Sequence, residues 1–242
     1  MGYWTRIITE HQAVNEMLQI QNELLNRLKM AKGVNIVHLG NLLSFWRDFL
    51  EQEHMSWEEE VAFAFFRKIN HPLVDGLQRD HERIRNSLAG LEGTIKLLRQ
   101  GKPHSGREYV RLGEEFAETM AGHLTRENAA FKELAAMSGE DLASLKYPLP
   151  TGFRRQKLIG VFSVAEDMCQ EYLEKQCTLP DWLEESTPEP AEAEKSDRLE
   201  EPELLEATTG TGVPAEEDPQ PVLEGRSSFP EAGEDTLTGD RE

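Results

Sequence analysis

The 242-residue sequence predicts an all-α fold: an up-down-up-down four-helix bundle with an additional C-terminal helix and a disordered acidic tail. Three observations predict it. Apolar residues recur at three- and four-residue spacing up to residue 137, with no alternating segment to compete. Short breakers divide that pattern into four runs, and short connections make consecutive helices antiparallel neighbours. The charge is segregated: residues 181–242 hold 20 Asp and Glu against 4 Lys and Arg, so that only −3 of the net −19 belongs to residues 1–180.

The first helix is expected over about Thr5 to Ala31, with Ile8, His11, Val14, Leu18, Leu25 and Leu28 near one face, and Gly33 then gives a turn. A long second helix, about Asn35 to Lys68, sets Leu43, Trp46, Leu50, His54, Trp57, Glu58, Val61 and Phe65 at spacings of three and four. Asn70-His71-Pro72 ends it, because proline disfavours helical geometry in the residue before it and suits a first turn. The third helix has the cleanest stripe: Leu77, His81, Ile84, Leu88, Leu91, Ile95 and Leu98, stopping at Gly101-Lys102-Pro103. The fourth, about Ser105 to Met137, carries Tyr109, Leu112, Phe116, Met120, His123, Glu127, Ala130 and Leu134. Residues 1–140 therefore read as the bundle.

Tyr147-Pro148-Leu149-Pro150 leads into a fifth stripe at Leu158, Val161, Phe162, Ala165, Met168, Cys169, Tyr172 and Leu173, an accessory helix within 141–180 packed on the bundle. Arg154, Arg155 and Lys157 before it offer a small basic cluster to an acidic partner or a membrane surface, but a packed helix is the simpler reading. Residues 181–242 contain seven of the twelve prolines and few aromatic residues, Trp182 and Phe229 among them. Such a segment buries too little apolar area to offset its ordering entropy, so a disordered Pro-rich tail is expected. It serves as a solvated spacer, or presents Asp235-Thr236-Leu237-Thr238-Gly239-Asp240 to a protein partner.

No stretch of about 18 apolar residues is present, so no integral membrane segment is expected, and the first residues lack the apolar run of a signal peptide. Arg6 stands where myristoylation expects Ser or Thr. Two cysteines, Cys169 and Cys177, fit a reducing compartment, and the expected location is cytoplasmic. The acidity argues against a nucleic-acid surface.

The chemistry lies in the histidines. His-x-x-x-Glu occurs as His54-Glu58 and His123-Glu127, which puts an imidazole and a carboxylate one turn apart. That spacing alone is weak, since Asp75 follows His71 and Glu108 follows His104 at the same distance. Position separates them: His71 and His104 fall in loops, whereas His11, His54, His81 and His123 each interrupt the apolar stripe of a different helix. One such histidine is ordinarily a hydrogen-bonded core residue. Four of them, with two glutamates, are costly to bury without a purpose.

Counting from the helix ends places the four histidines level within roughly 3 Å, at a rise of ~1.5 Å per residue. Glu58 and Glu127 sit one turn further along. Imidazoles and carboxylates converging in an apolar core suit one or two first-row transition ions, and the absence of thiolates from the layer excludes a cysteine-type structural zinc site. The two glutamates can bridge two ions while the histidines supply terminal nitrogens.

This pattern, His11, His54-x-x-x-Glu58, His81 and His123-x-x-x-Glu127 over about residues 5–137, resembles the hemerythrin-like or HHE cation-binding domain. The resemblance implies two iron ions, oxo- or hydroxo-bridged, held by His11, His54, Glu58, His81, His123 and Glu127, and a small ligand such as O2, NO or peroxide, for oxygen binding, sensing or detoxification. Two departures stand out. Where the oxygen-carrying members have a second histidine one turn away on the third helix, this chain has Leu77 and Arg85, and where they end on an aspartate it has Asn128 and uses Glu127.

Rival readings remain. Ferritin-like carboxylate proteins, which store iron or act as oxidases, use Glu-x-x-His on two helices. Glu51-x-x-His54 satisfies that once, but Met120 stands three before His123. Glu51 or Glu53 is then a candidate outer partner of the site. A metal-free helical adaptor with an acidic tail is the reading from a different class. Trp46, Trp57, Phe63, Phe65 and Phe66 are either core or the wall of a dry pocket.

Overall fold

The computed structural model describes residues 3–137 and 149–183, and the acidic tail expected over 181–242 lies from residue 184 onward outside the described residues. The described residues are helical, with no strand among them. None of the helices is long and apolar enough to cross a membrane.

The first helix spans Tyr3–Lys29, a second helical run covers residues 36–68, the third spans Val74–Arg99, the fourth Ser105–Met137 and the fifth Gly152–Leu173. Asn35 starts the second run by accepting a hydrogen bond from the Val37 amide at 2.9 Å. The first helix ends differently from expectation. Ala31, not Gly33, takes the left-handed conformation (φ 54°), while Lys32 N bonds back to Arg27 O and Ala31 N to Leu28 O. The second run and the third helix end with the same paired bonds, on Asn70 (φ 55°) and Gly101 (φ 65°), residues that suit that geometry better than alanine does.

Cross-helix pairs define the bundle. Trp46 Nε1 donates to Gln21 Oε1 (2.9 Å), and Gln21 Nε2 donates to Gly113 O (3.0 Å), tying the first, second and fourth helices. Arg47 meets Glu92 between the second and third, and Arg126 meets Asp80 between the third and fourth. The fifth helix lays Phe162 against Phe45 and Phe49 of the second run, at ring separations of 5.5 and 4.8 Å. Its basic residues face inward to the same chain: Arg154 bonds Glu53, Lys157 pairs with Asp48 at 2.7 Å, and Arg155 donates to Leu183 O.

The second run departs from a plain α-helix. Phe45–Met55 and Glu58–Ala62 are π-helical, wound more loosely by i→i+5 hydrogen bonds. Buried Phe45, Phe49, His54, Glu58 and Ala62 follow one another at steps of four and five, close to the ~4.4 residues per turn of that winding, so they stay on one side of the axis. Beyond Glu58 the core face is therefore Ala62, Phe63 and Phe66, and the expected Val61 and Phe65 are only half-buried. On the first helix Ile7 is buried and Ile8 is 49% exposed, the reverse of the face read from periodicity.

The apolar core is in two parts. A large one holds Val14, Trp46, Phe49, Ile84, Phe116 and Phe162 among others, and a smaller one gathers Ile7, Phe63, Phe66, Leu77 and Phe131. On every helix of the bundle the boundary between them falls at the histidines and glutamates singled out above.

A candidate metal centre between the two cores

His11, His54, His81 and His123 come from four different helices, and all four are at most 2% exposed, as are Glu58 and Glu127. Their inward atoms converge. Glu58 Oε1 lies 2.7 Å from His54 Nε2 and 3.7 Å from His11 Nε2, while its Oε2 lies 3.1 Å from His81 Nε2. Glu127 Oε2 lies 3.4 Å from His11 Nε2 and 3.3 Å from His123 Nε2, and the Nε2 atoms of His81 and His123 are 3.3 Å apart. The donors fall into two groups that share a carboxylate: His11, His54, Glu58 and Glu127 in one, Glu58, His81 and His123 in the other, with the ligand atoms of each within 4.8 Å of one another.

Residues 4–135 match the hemerythrin HHE cation binding domain. The chain belongs to the hemerythrin HHE family. No curated protein and no solved structure matches it.

The donor set of this HHE domain fits metal ions. His11 Nε2, His54 Nε2 and both oxygens of Glu58 and of Glu127 are buried without a hydrogen bond of good geometry among the described residues, although they crowd within 2.7–3.7 Å of one another, an arrangement that costs stability unless a cation takes it up. Atoms that share an ion at ~2.0–2.2 Å stand roughly 3–4 Å apart, as these do. Nitrogen and carboxylate oxygen without sulfur suit iron, manganese or zinc rather than a soft ion.

Proton positions carry the same information. Burial disfavours the charged form of His54, yet the charge of Glu58 and the hydrogen bond to Glu10 outweigh it and hold this imidazole well above its ordinary range. Burial likewise opposes the charge on His123, but Glu127 and Asp80 raise it to about 9. Glu58 is held well below the usual carboxylate range, burial being overcome by His54, His11 and His81. The raised pKa values of His54 and His123 thus answer the buried carboxylates, whose charge a bound cation would compensate in place of the imidazole protons.

Around the inner donors runs a second layer that sequence reading missed. Each histidine turns its Nδ1 outward to an oxygen. His54 meets Glu10 Oε2 at 2.8 Å, His81 meets Glu59 Oε1 at 2.7 Å, and His11 meets Asn128 Oδ1 at 2.8 Å. His123 faces Asp80 Oδ2 at 3.8 Å, within ion-pair range but beyond a hydrogen bond. Glu10, Glu59, Asp80 and Asn128 each stand next in sequence to one of the six inner residues, His11, Glu58, His81 and Glu127, one position round the helix, and meet the histidine of the neighbouring helix. The first helix steadies the histidine of the second, the second that of the third, the third that of the fourth, and the fourth that of the first. The signal available in the sequence was a polar residue flanking one of the stripe histidines or glutamates. Such partners fix the tautomer that leaves Nε2 free for a metal.

The outer partners weighed from sequence, Glu51 and Glu53, point elsewhere: Glu51 pairs with Arg47 at 2.6 Å, and Glu53 with Arg154. Arg85, standing where a further histidine was sought, holds Glu59 through two bonds of 2.8 and 2.9 Å. Leu77 is fully buried in the smaller core. Of the aromatic residues named, Phe63 packs on His81 (4.9 Å), and Phe49, not singled out, lies 6.0 Å from His54. His71 is buried against Phe66 and His104 is exposed, neither among the converging donors.

Proposed function

We propose that this HHE protein is a non-haem di-iron protein that binds O2 or a related small ligand, NO or peroxide, for oxygen binding, sensing or detoxification. The observation that carries the reading is Glu58, whose two oxygens face two different sets of imidazoles inside a layer of crowded buried donors. His11, His54, Glu58 and Glu127 would hold one iron, and His81, His123 and Glu58 the other, with Glu127 within reach of both groups. Bound iron would supply electrons and an open position for the small ligand. The group with fewer protein donors is where such a position is expected, because an ion there would have coordination positions to spare.

The chain's own residues do the rest. The two apolar cores exclude water from the layer, which strengthens every electrostatic interaction within it. Glu10, Glu59, Asp80 and Asn128 orient the imidazoles, and Glu58 and Glu127 supply the negative charge that compensates the ions. The up-down-up-down arrangement is part of the proposal, supported by partners that descend along one helix as they rise along its neighbour: Gln21 and Trp46 against Glu10 and His54, Arg47 and Glu92 against Glu59 and Arg85. We divide the chain into a bundle (1–140), an accessory segment (141–180) and a tail (181–242), and place it in the cytoplasm.

The test is the optical spectrum of aerobically purified protein with iron counted alongside. Two irons per chain and near-ultraviolet bands that bleach on reduction and change with O2, NO or peroxide are expected. Protein that holds no iron, and takes up none during anaerobic ferrous loading, would overturn the proposal. His81→Ala and Glu58→Ala are expected to lower iron content, and His71→Ala and His104→Ala to leave it unchanged.

A further inference from the structure

After the fifth helix the chain turns at Glu174 (φ 53°) and runs as a strap to the short turn Asp181–Leu183. The strap is fastened to the first helix at Glu16. That carboxylate accepts hydrogen bonds from Thr178 N (2.7 Å), Thr178 Oγ1 (2.8 Å) and Lys175 Nζ (2.9 Å). Beside it lie two buried, free cysteines, Cys169 on the fifth helix and Cys177 on the strap. Both sulfurs and an oxygen of Glu16 are within 4.8 Å of one another.

Two thiols and a carboxylate have the donor types of a zinc site. The hydrogen bonding argues otherwise. Both oxygens of Glu16 are already engaged, in contrast to those of Glu58 and Glu127, so the carboxylate is a fastening for the strap. What remains is a pair of adjacent thiols, of which Cys177 donates a long bond to Thr178 O at 3.6 Å.

We propose that Cys169 and Cys177 are a redox-active dithiol that closes to an intrachain disulfide on reaction with hydrogen peroxide. The Cys169 thiolate attacks one peroxide oxygen and the O–O bond breaks. Hydroxide leaves and is protonated to water, and Cys169 is oxidised to a sulfenic acid. The Cys177 sulfur then attacks the Cys169 sulfur. The S–S bond forms, and the sulfenic oxygen departs as a second water with the Cys177 proton. Two thiols lose two electrons in all, and one peroxide is reduced to two waters.

The surroundings assign the roles. Hydrogen bonding from the Cys177 thiol lowers the pKa of Cys169, outweighing burial, and the charge of Lys175 acts in the same direction. Cys177 is pushed up by the same contact and by burial, which makes Cys169 the first to react and leaves the Cys177 proton for the departing sulfenic oxygen as the S–S bond forms. The pair also stands at one end of a segment whose other end reaches the metal layer: Trp182 Nε1 donates to Glu10 Oε1 at 2.9 Å, and Glu10 Oε2 meets His54. The dithiol does not rest on the iron reading, and a chain that bound no iron would keep it.

The test titrates the full-length chain with hydrogen peroxide, quenches with acid, alkylates free thiols and reads peptides by mass spectrometry. The expected product is one intrachain bond between the two cysteines, lighter by two hydrogens and reopened by dithiothreitol, with no such bond in Cys169→Ser or Cys177→Ser. Any of three results would overturn it: both thiols still alkylating in excess peroxide, disulfides only between chains, or a zinc ion that protects both thiols and is lost in Cys169→Ser.

Discussion

Glu10→Gln tests the outer layer with the least change in shape. Glu10 is fully buried and joins three groups: Oε2 meets His54 Nδ1 (2.8 Å), and Oε1 accepts from Trp182 Nε1 (2.9 Å) and Arg6 Nε (3.2 Å). A glutamine keeps one oxygen and gains an NH2. If the oxygen stays on Trp182 and Arg6, the NH2 faces His54 Nδ1, which must then accept, and the imidazole proton moves to Nε2, where the metal would bind. Loss of an outer-layer partner of this kind costs about 10–100-fold in metal affinity, or about 1.4–2.7 kcal/mol. Anaerobic titration with ferrous ion against a competing chelator measures it, and circular dichroism checks that the variant is folded. A folded Glu10→Gln protein that binds two ions as tightly as wild type would refute the claim that this carboxylate sets the orientation of His54.

Chelation should lower stability measurably, because the buried carboxylates and imidazoles then lack their cation. At free metal 100 times its dissociation constant the stabilisation is about 2.7 kcal/mol, which for a domain of this size is roughly 5–10 °C in a thermal scan with and without chelator. Glu16 has its pKa lowered: burial opposes this, but Lys175 and Thr178 prevail. Its contribution to stability is therefore complete above the unfolded carboxylate pKa of about 4.3 and is lost as pH falls through the lower folded value. Urea midpoints of wild type and Glu16→Gln should differ by a constant amount above about pH 5.5 and converge in acid. Ala31→Gly should stabilise by about 1 kcal/mol, since Ala31 sits at φ 54° in a position glycine occupies without steric cost, and a shift of the urea midpoint reads it.

The six inner residues were legible because burial forces polar side chains on an apolar stripe to have a reason, and four helices gave the same answer at the same height. The resemblance to the HHE domain is borne out by the family match over residues 4–135. The second helix was read less well. A 3.6-residue period does not hold along it, because the π-helical winding at Phe45–Met55 and Glu58–Ala62 moves the core face from Val61 and Phe65 to Ala62, Phe63 and Phe66. Glu10, Glu59 and Asp80 lie one position off the stripe and each serves a histidine on another helix, so periodicity does not single them out, and Asn128 stands out only as the residue found where an aspartate is expected. Composition groups Trp182 with the tail, although it is buried and tied to the bundle by its hydrogen bond to Glu10 and its contacts with Phe162 and Arg6.

That bond has a consequence for where the functional unit ends. The family match stops at residue 135, and a fragment cut there would retain all six inner residues and all four outer oxygens. It would lack the indole that occupies Glu10 Oε1 and the ring that Arg6 stacks upon at 5.5 Å, so water would reach the carboxylate holding His54. Proteins sharing the same inner residues can therefore differ in how well the layer is shielded from water through whatever segment follows the bundle. Here the segment that completes the centre is the one that leads into the acidic tail.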